Sequence, residues 1–362
     1  MNKILFIIGS LNRGGAERVV SILANHYAKK NWHVGICVLL DNKIGYELES
    51  VIKIFDLTSK CKGTLLSKLV SIPMWIYNLR TIYREFQPNV IVSFTTNIAT
   101  ISLMASIGMD VNIIVSDRND PSAQKTYWCE KLVREKVWDR NNCKKLVFQT
   151  NYAKAQYPSR LSSKGVVINN PVLINTCERS NIYKKNNIVS VGRLEKQKNH
   201  VLLIKAFSKI ANKYPYYNLY IYGEGSLRQS LEDMIKNMGL SHRVFLPGNI
   251  IDVQEKVVEA EIFVLSSIYE GCSNALLEAM MLGTACISTN INGINEIIDN
   301  GENGIVLKDN TVDDLVVNME VLINNNEYRR YIEENAKKLR CRYEYHVVLE
   351  KWEEVLEECD KR

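Results

Sequence analysis

Short, unbroken apolar runs recur along the chain, each separated from the next by about the length of one helix and its loops. In the first half they fall at residues 3–9, 33–40, 51–57, 90–93, 113–116 and 145–148. Runs of this length, rich in Val and Ile and without polar alternation, predict strands buried on both faces. Helical spacing fills the intervals, over residues 16–30 and again over about 62–86. The rhythm halts in a polar stretch at 175–187, read as a linker, and then restarts. The second set of runs lies at 188–191, 219–222, 244–246, 262–265, 285–288 and 304–307, with a helix near 200–214. Strands alternating with helices predict parallel sheets with crossover helices. The expected fold class is α/β, with two Rossmann-like domains in tandem over 1–174 and 175–343. A last helix at about 345–358, within a segment 344–362, is expected to cross back to the first domain.

The length of 362 residues suits two domains of roughly 150 residues or more. With 46% hydrophobic and 24% charged residues, a disordered chain is excluded. The nine cysteines are odd in number, scattered and free of any CxxC pair, which argues against a disulfide framework or a zinc site and fits a reducing cytoplasm. Lys3 precedes too short an apolar run for a secretory signal. The longest mostly apolar stretch, 98–109, is too short and hydroxyl-rich to span roughly 30 Å of hydrocarbon. A soluble protein is expected.

The net charge of +6 hides an asymmetry. Residues 1–175 hold 23 Lys and Arg against 12 Asp and Glu, whereas residues 176–362 hold 23 against 28. A basic half joined to an acidic one points to an anionic partner, either nucleic acid or a phospholipid headgroup layer. No helix-turn-helix, zinc-finger or RNP-like motif supports nucleic acid. The stretch 62–84 mixes apolar residues with Lys62, Lys68, Arg80 and Arg84 and the rings of Trp75, Tyr77 and Tyr83. That mixture resembles a helix lying on a membrane. The other reading is a surface helix packed on a sheet, with Pro73 bending or starting it.

Ligands of doubly wound sheets bind beyond the carboxyl ends of the strands, so the loops there carry the chemistry. The first runs from Ser10 to Gly15, where Gly14 and Gly15 allow positive φ and close backbone approach ahead of a helix N-terminus. It does not spell GxGxxG. The loop after residue 191 gathers Arg193, Lys196 and Lys198. Arg can fork onto a phosphate, and Lys acts as a mobile point charge. The turn Gly223-Glu224-Gly225-Ser226 is a weaker signal. The most informative stretch is 269–278, where Gly271 permits a sharp strand-to-helix turn and amides near Ser273 to Ala275 aim at an anion. Glu270 lies in the turn and Glu278 one to two helical turns in. Two carboxylates flanking an amide cluster suit a ligand with hydroxyls at both ends and phosphate between, which is the layout of a nucleotide sugar.

Together, Glu270-x7-Glu278, Arg193-x4-Lys198 and Gly14-Gly15-Ala-Glu-Arg give a chain that resembles the retaining GT-B glycosyltransferases of family four. It is most similar to bacterial enzymes that build O-antigen, capsule or other lipid-linked glycans. The resemblance implies two Rossmann-like domains facing across a cleft. It implies that Arg193 and Lys198 bind the donor diphosphate, Glu278 the ribose, and Glu270 the donor-sugar hydroxyls. Amides of Ser273, Asn274, Ala275 and Leu276 would hold sugar and phosphate. Gly14 and Gly15 would lie against the pyrophosphate, and Gly248, Asn249 and Ile250 would read the base edge. One position departs from the pattern. Where many members carry Glu-His, this chain has Asp117-Arg118. Arg118 would contact the donor sugar, contact the acceptor phosphate, or order the loop, so the catalytic candidates are Arg193, Lys198, Glu270 and Arg118.

The implied reaction moves a hexose or N-acetylhexosamine, with retention, from a nucleotide-diphosphate donor, UDP being commonest, to a polyprenyl-diphosphate-linked saccharide. Its setting would be O-antigen or capsule biosynthesis at the inner face of the cell membrane. Cations and amides can neutralise the departing diphosphate without a metal, so no cofactor is expected. Asp117 and Asp120 stand close, but Arg118 between them disfavours a cation. The expected partners are the nucleotide sugar, the lipid-linked acceptor and a membrane surface met by the basic half. Rival readings are a non-hydrolysing sugar-nucleotide epimerase, which would convert the donor without acceptor, and a non-catalytic binder of nucleotide or lipid phosphate.

Overall fold

The computed structural model describes residues 2–12, 14–58, 65–118, 120–123, 127–174 and 184–360, and within these the side chains of 65–70 and 360 are left aside. The chain forms two compact units, Met1–Pro171 with His346–Arg362, and Val172–Tyr345.

The first unit is built on β1 (Lys3–Leu11), β2 (His33–Ile44), β3 (Lys53–Asp56), β4 (Val90–Phe94), β5 (Asn112–Ser116), β6 (Cys143–Phe148) and β7 (Gly165–Val167). The strands pair in the order β3-β2-β1-β4-β5-β6-β7, all parallel. Around them lie α1 (Gly15–Lys29), α2 (Leu65–Phe86), α3 (Thr96–Ala105), α4 (Trp128–Trp138), α5 (Asn151–Ala155) and α6 (Ser159–Ser162). All five residues of β4 are buried, because helices cover both faces of a parallel sheet. The strand β7 was not expected from the sequence. Its three residues are too few to register as an apolar run.

The second unit contains β8 (Lys185–Val191), β9 (Asn218–Tyr222), β10 (Val244–Gly248), β11 (Ala260–Leu265), β12 (Ala285–Ser288) and β13 (Ile305–Val306), ordered β10-β9-β8-β11-β12-β13 and again parallel. Its helices are α7 (His200–Ile210), α8 (Arg228–Asn237), α9 (Val253–Glu259), α10 (Asn274–Met281), α11 (Val312–Asn324), α12 (Asn326–Lys337) and α13 (Arg340–Tyr343). Of the expected linker, residues 175–183 lie outside the described residues, and Lys185 to Asn187 are the start of β8.

The last helix, α14 (Tyr345–Asp360), belongs to the first unit. Val348, Leu349, Trp352, Val355, Leu356 and Cys359 are all buried, at the three- and four-residue spacing that makes one helical face. Trp352 stacks on Phe94 with ring centroids 6.3 Å apart. His26 of α1 and Lys30, its C-cap, both pair with Glu353.

Of the two readings of the 62–84 stretch, helix α2 fits the helix packed on a sheet. Trp75, Leu79, Ile82 and Tyr83 are core residues, spaced so that one face of α2 meets the sheet. The Tyr83 hydroxyl is 2.8 Å from Ser102 Oγ, and Arg80 donates to the carbonyls of Ala105 and Ile107. Trp75, Tyr83 and Arg80 are therefore committed to packing, and of the three rings only Tyr77 is exposed. Pro73 lies inside the helix and outward, where its missing N–H is least disruptive. Lys62 and the side chain of Lys68 lie outside what is described. Among the described residues no helix is long and apolar enough to cross a membrane.

Candidate active site

In the second sheet the strand order reverses between β8 and β11. The chain moves outward from β8 to β9 and β10, then returns to the other side of β8. A crevice at the carboxyl ends of the strands opens at such a switch point. The two loops that flank it are those carrying Arg193 and Lys198, after β8, and Glu270, after β11.

These loops are stitched together. Ile268 N donates to Gln197 O at 2.8 Å, and Gln197 Nε2 donates to Tyr269 O at 2.9 Å. Ser266 Oγ donates to Lys198 O at 2.8 Å. Across the same gap Lys198 Nζ lies 2.6 Å from Glu270 Oε1, with the two side chains 15% and 11% exposed. Ser267 Oγ donates to that same carboxylate oxygen at 2.6 Å. A largely buried ion pair with an extra donor keeps both charged groups at fixed positions. The pairing was invisible in the sequence, where 72 positions separate its members, and so were the parts of Ser267 and Gln197.

Arg193 stands differently. Its side chain is exposed, and Nη2 makes a long hydrogen bond of 3.5 Å to Gln197 Oε1. Its backbone is held instead by His200, whose Nε2 is 3.2 Å from Arg193 O. A carbonyl can only accept, so Nε2 carries the proton. Burial pushes the His200 pKa down to about 4, so the ring is neutral near pH 7 and adds no charge beside the cations.

The Gly-Glu-Gly-Ser turn after β9 buttresses the Arg193 loop. Leu194 N donates to Glu224 O, and Leu227 N to Leu194 O, each at 2.9 Å. Glu195 accepts from both the amide and the hydroxyl of Ser226, which holds its carboxyl below the usual range. Gly223 has φ of +143°, and a Cβ there would lie 2.1 Å from Gly192 O. Gly223→Ala should therefore destabilise the protein by about 2–3 kcal/mol and lower Tm by roughly 5–10 °C. Gly239→Ala is the control: φ is +68° but nothing lies within 4 Å of the new Cβ, so about 1 kcal/mol is expected. Thermal melts of the two variants check the difference.

Helix α10 begins at the same edge. Ser273 is its N-cap and accepts from Leu276 N at 3.4 Å, leaving the first-turn amides of Asn274 and Ala275 at the positive end of the helix. Glu278 lies one turn in and is 7% exposed. Gly248, the last residue of β10, takes φ of +82°, and its carbonyl accepts from Gly223 N at 2.9 Å. Asn249 and Ile250 follow, exposed and half-buried. Arg193, Lys198, Gly248, Asn249, Ile250, Glu270, Ser273, Asn274, Ala275, Leu276 and Glu278 thus all fall on the carboxyl edge of one sheet.

Gly14, Gly15 and Arg118 lie in the first unit. Gly14 is extended, with φ −172° and ψ 171°, and caps α1, whose first residue is Gly15. Neither glycine takes positive φ, which corrects that part of the reading. A Cβ at Gly14 would meet only the end of the flexible Glu17 side chain, with Oε2 at 2.3 Å, so backbone crowding does not demand glycine there. Arg13, in this loop, lies outside the described residues. The first sheet reverses order between β1 and β4, and there Thr95 has φ of +68°, a strain of about 1–3 kcal/mol for a β-branched residue. Beside it Thr96 Oγ1 donates to Asp117 Oδ1 at 3.0 Å, and Tyr157 Oη donates to Asp117 Oδ2 at 2.6 Å. Arg118 is buried, its guanidinium over the Phe94 and Trp352 rings. Among the described residues no three His, Cys, Asp or Glu side chains gather as a metal site.

Two doubly wound parallel units, one with a cationic switch point beside a helix N-terminus, make up the fold, which is that of the GT-B glycosyltransferases. Residues 177–339 match the family model described as Glycosyl transferases group 1, and the chain carries that domain in its second unit. It is similar to the GalNAc-alpha-(1->4)-GalNAc-alpha-(1->3)-diNAcBac-PP-undecaprenol alpha-1,4-N-acetyl-D-galactosaminyltransferase of Campylobacter jejuni, at 29% identity over 99% of both chains. A second relative in that organism, N-acetylgalactosamine-N,N'-diacetylbacillosaminyl-diphospho-undecaprenol 4-alpha-N-acetylgalactosaminyltransferase, is 26% identical over 93% of this chain and 94% of its own. Among solved structures, Anabaena HepE in complex with UDP and glucose superposes with a TM-score of 0.81 at 16% identity, over 99% of this chain and 100% of that one.

Proposed function

We propose that the protein transfers a sugar, with retention, from a UDP-sugar to a saccharide carried on polyprenyl diphosphate, as a step in surface-polysaccharide biosynthesis. The observation that carries this reading is the convergence of Arg193, the Lys198–Glu270 pair and the α10 N-terminus on one switch point. Cleaving the bond from sugar to diphosphate builds negative charge on the leaving group. Fixed cations and helix amides stabilise that charge with no reorganisation and no metal ion. Glu270, already oriented by Lys198 and Ser267, is an acceptor for donor-sugar hydroxyls, and Glu278 for the ribose. The undecaprenyl acceptors named for the two Campylobacter relatives support the acceptor class, and the UDP named in the Anabaena complex supports the donor. The test is a panel of nucleotide sugars offered to purified protein with an undecaprenyl-diphosphate-linked saccharide, followed by NMR of the product's anomeric centre. Transfer from a UDP-sugar with an unchanged anomer is expected; an inverted anomer, or turnover of the donor alone to an epimer, would refute it.

The acceptor's lipid implies a membrane surface, and α4 has the side chains to meet one. Tyr127, Trp128, Leu132 and Val133 are 75%, 76%, 56% and 45% exposed. Lys131 and Lys136 of the same helix are exposed, as are Glu130 and Asp139, in the half of the chain whose Lys and Arg outnumber its Asp and Glu by 23 to 12 over residues 1–175. Apolar side chains with interfacial rings, in a basic half, complement an anionic leaflet. Trp128→Ala with Leu132→Ala should weaken binding to phosphatidylglycerol vesicles about tenfold while transfer to a short-chain, water-soluble acceptor stays as in the parent. Vesicle co-sedimentation with unchanged affinity would count against this face.

A further inference from the structure

Two backbone connections join the units, one leaving the first unit after Pro171 and one returning before His346. They are tied to each other. Val172 N donates to Tyr343 O and Tyr345 N donates to Val172 O, each at 3.1 Å, around an isolated parallel bridge between Val172 and Glu344. Where each connection enters the first unit, its anchor meets the same side chain. Arg118 Nη1 donates to Asn170 Oδ1 at 2.8 Å, one residue before the outgoing boundary. The Arg118 guanidinium carbon lies 5.5 Å from the ring centre of Trp352, on the returning helix α14. The same group is 5.4 Å from the Phe94 ring, and its Nε donates to Ser116 Oγ at 2.7 Å.

Phe94 and Ser116 are the last residues of β4 and β5, and Phe94 precedes the strained Thr95. One buried guanidinium therefore links two strand ends at the carboxyl edge of the first sheet to both connections. The links are themselves braced. Asn170 Oδ1 also accepts from Gln149 Nε2, and Asn169 Nδ2 donates to Gln149 O, each at 2.7 Å. Arg118 is 7% exposed, so its hydrogen bonds and ring contacts act in a low dielectric, where they are strongest. A planar fork that donates in two directions while lying over rings is something a lysine ammonium cannot reproduce.

We propose that Arg118 is a positioning residue: it locks both inter-unit connections to the strand ends of the first unit, and sugar transfer depends on it through that lock rather than through contact with donor or acceptor. The proposal rests on the transfer activity argued above, and none of Arg118, Asn170, Phe94 or Trp352 lies in the donor-holding loops of the second unit. A misplacement of about 1 Å at the reacting atoms is enough to slow transfer by 10²-fold, so loosening the lock reads out in turnover.

The test compares the full-length protein with Arg118→Lys, Asn170→Ala, Trp352→Leu and Trp352→Phe. In the first three, kcat should fall about 10- to 100-fold, while UDP affinity and the KM for acceptor stay within about twofold. Trp352→Phe keeps a ring under the cation and should restore most of the turnover. Amide hydrogen exchange at Val172 and Tyr345, a readout independent of activity, should speed up in the three impaired variants above the rest of the chain. The proposal is overturned if Arg118→Lys raises the acceptor KM at constant kcat, or if Asn170→Ala and Trp352→Leu turn over like the parent. Faster exchange throughout the first unit, rather than at the connections, would overturn it too. Failure of the parent to transfer any sugar would instead refute the function itself, with the exchange pattern still deciding the lock.

Discussion

Replacing Arg193 with alanine should slow sugar transfer by 10²–10³-fold, about 3–4 kcal/mol of lost transition-state stabilisation, and leave the melting temperature nearly unchanged. The two halves of that expectation come from one geometry. The guanidinium is exposed, and its hydrogen bond to Gln197 is long, at 3.5 Å, so the fold gains little from it. Its backbone, by contrast, is fixed by His200 and by the glycine turn after β9, so the side chain is presented from a rigid base. A cation presented rigidly but not used for packing is poised for a ligand. Arg193→Lys keeps the charge and loses the fork, and should fall between the two. Steady-state kcat/KM with a saturating acceptor, read beside a thermal melt, separates the effects. Near-normal turnover in the alanine variant would sink the assignment.

The second large effect belongs to the Lys198–Glu270 pair and runs the other way, hitting stability and activity together. With side chains 15% and 11% exposed, removal of either partner leaves a charge mostly out of water. Breaking such a pair costs about 3 kcal/mol or more. Glu270→Gln and Lys198→Met should each lower the unfolding free energy by roughly that amount, with the lysine variant also losing transfer by more than 10²-fold. The double variant removes both charges at similar volume, so stability should return while transfer does not. Denaturant unfolding and transfer assays on the four proteins close the cycle. If the double variant recovers activity, the ammonium has no part in holding the diphosphate.

How far the sequence carried these conclusions depends on the distance over which each feature is determined. Apolar runs mark strands, so twelve of the thirteen among the described residues were visible, although β3 at the sheet edge is mostly exposed rather than buried on both faces, and β7, with three residues, was too short to stand out. The cationic loop and the 269–278 segment were legible because each is a continuous motif at a strand end. Long-range contacts were not. Nothing local marks Ser267 as the third member of the Lys198–Glu270 contact, or Gly223 as the residue on which Gly192 rests. The choice between the two readings of α2 was hidden for a related reason. Trp75 and Tyr83 suit a lipid interface and a protein core equally, and only the sheet beneath them decides. Gly14 shows the converse: the glycine pair suggested a left-handed turn, and the backbone there is extended instead.

The helix that supplies Trp352 to the first unit is separated in the chain from that unit's other elements by the whole of the second unit. A nascent chain must therefore emit every residue of the second unit before the first can close over Phe94. Until α14 docks, the apolar faces that later meet Trp352 and Leu356 stay open to water, and both residues are at most 1% exposed in the finished protein. The first unit thus waits for the second to be made before its core is covered, and apolar surface exposed in that interval is what chaperones bind.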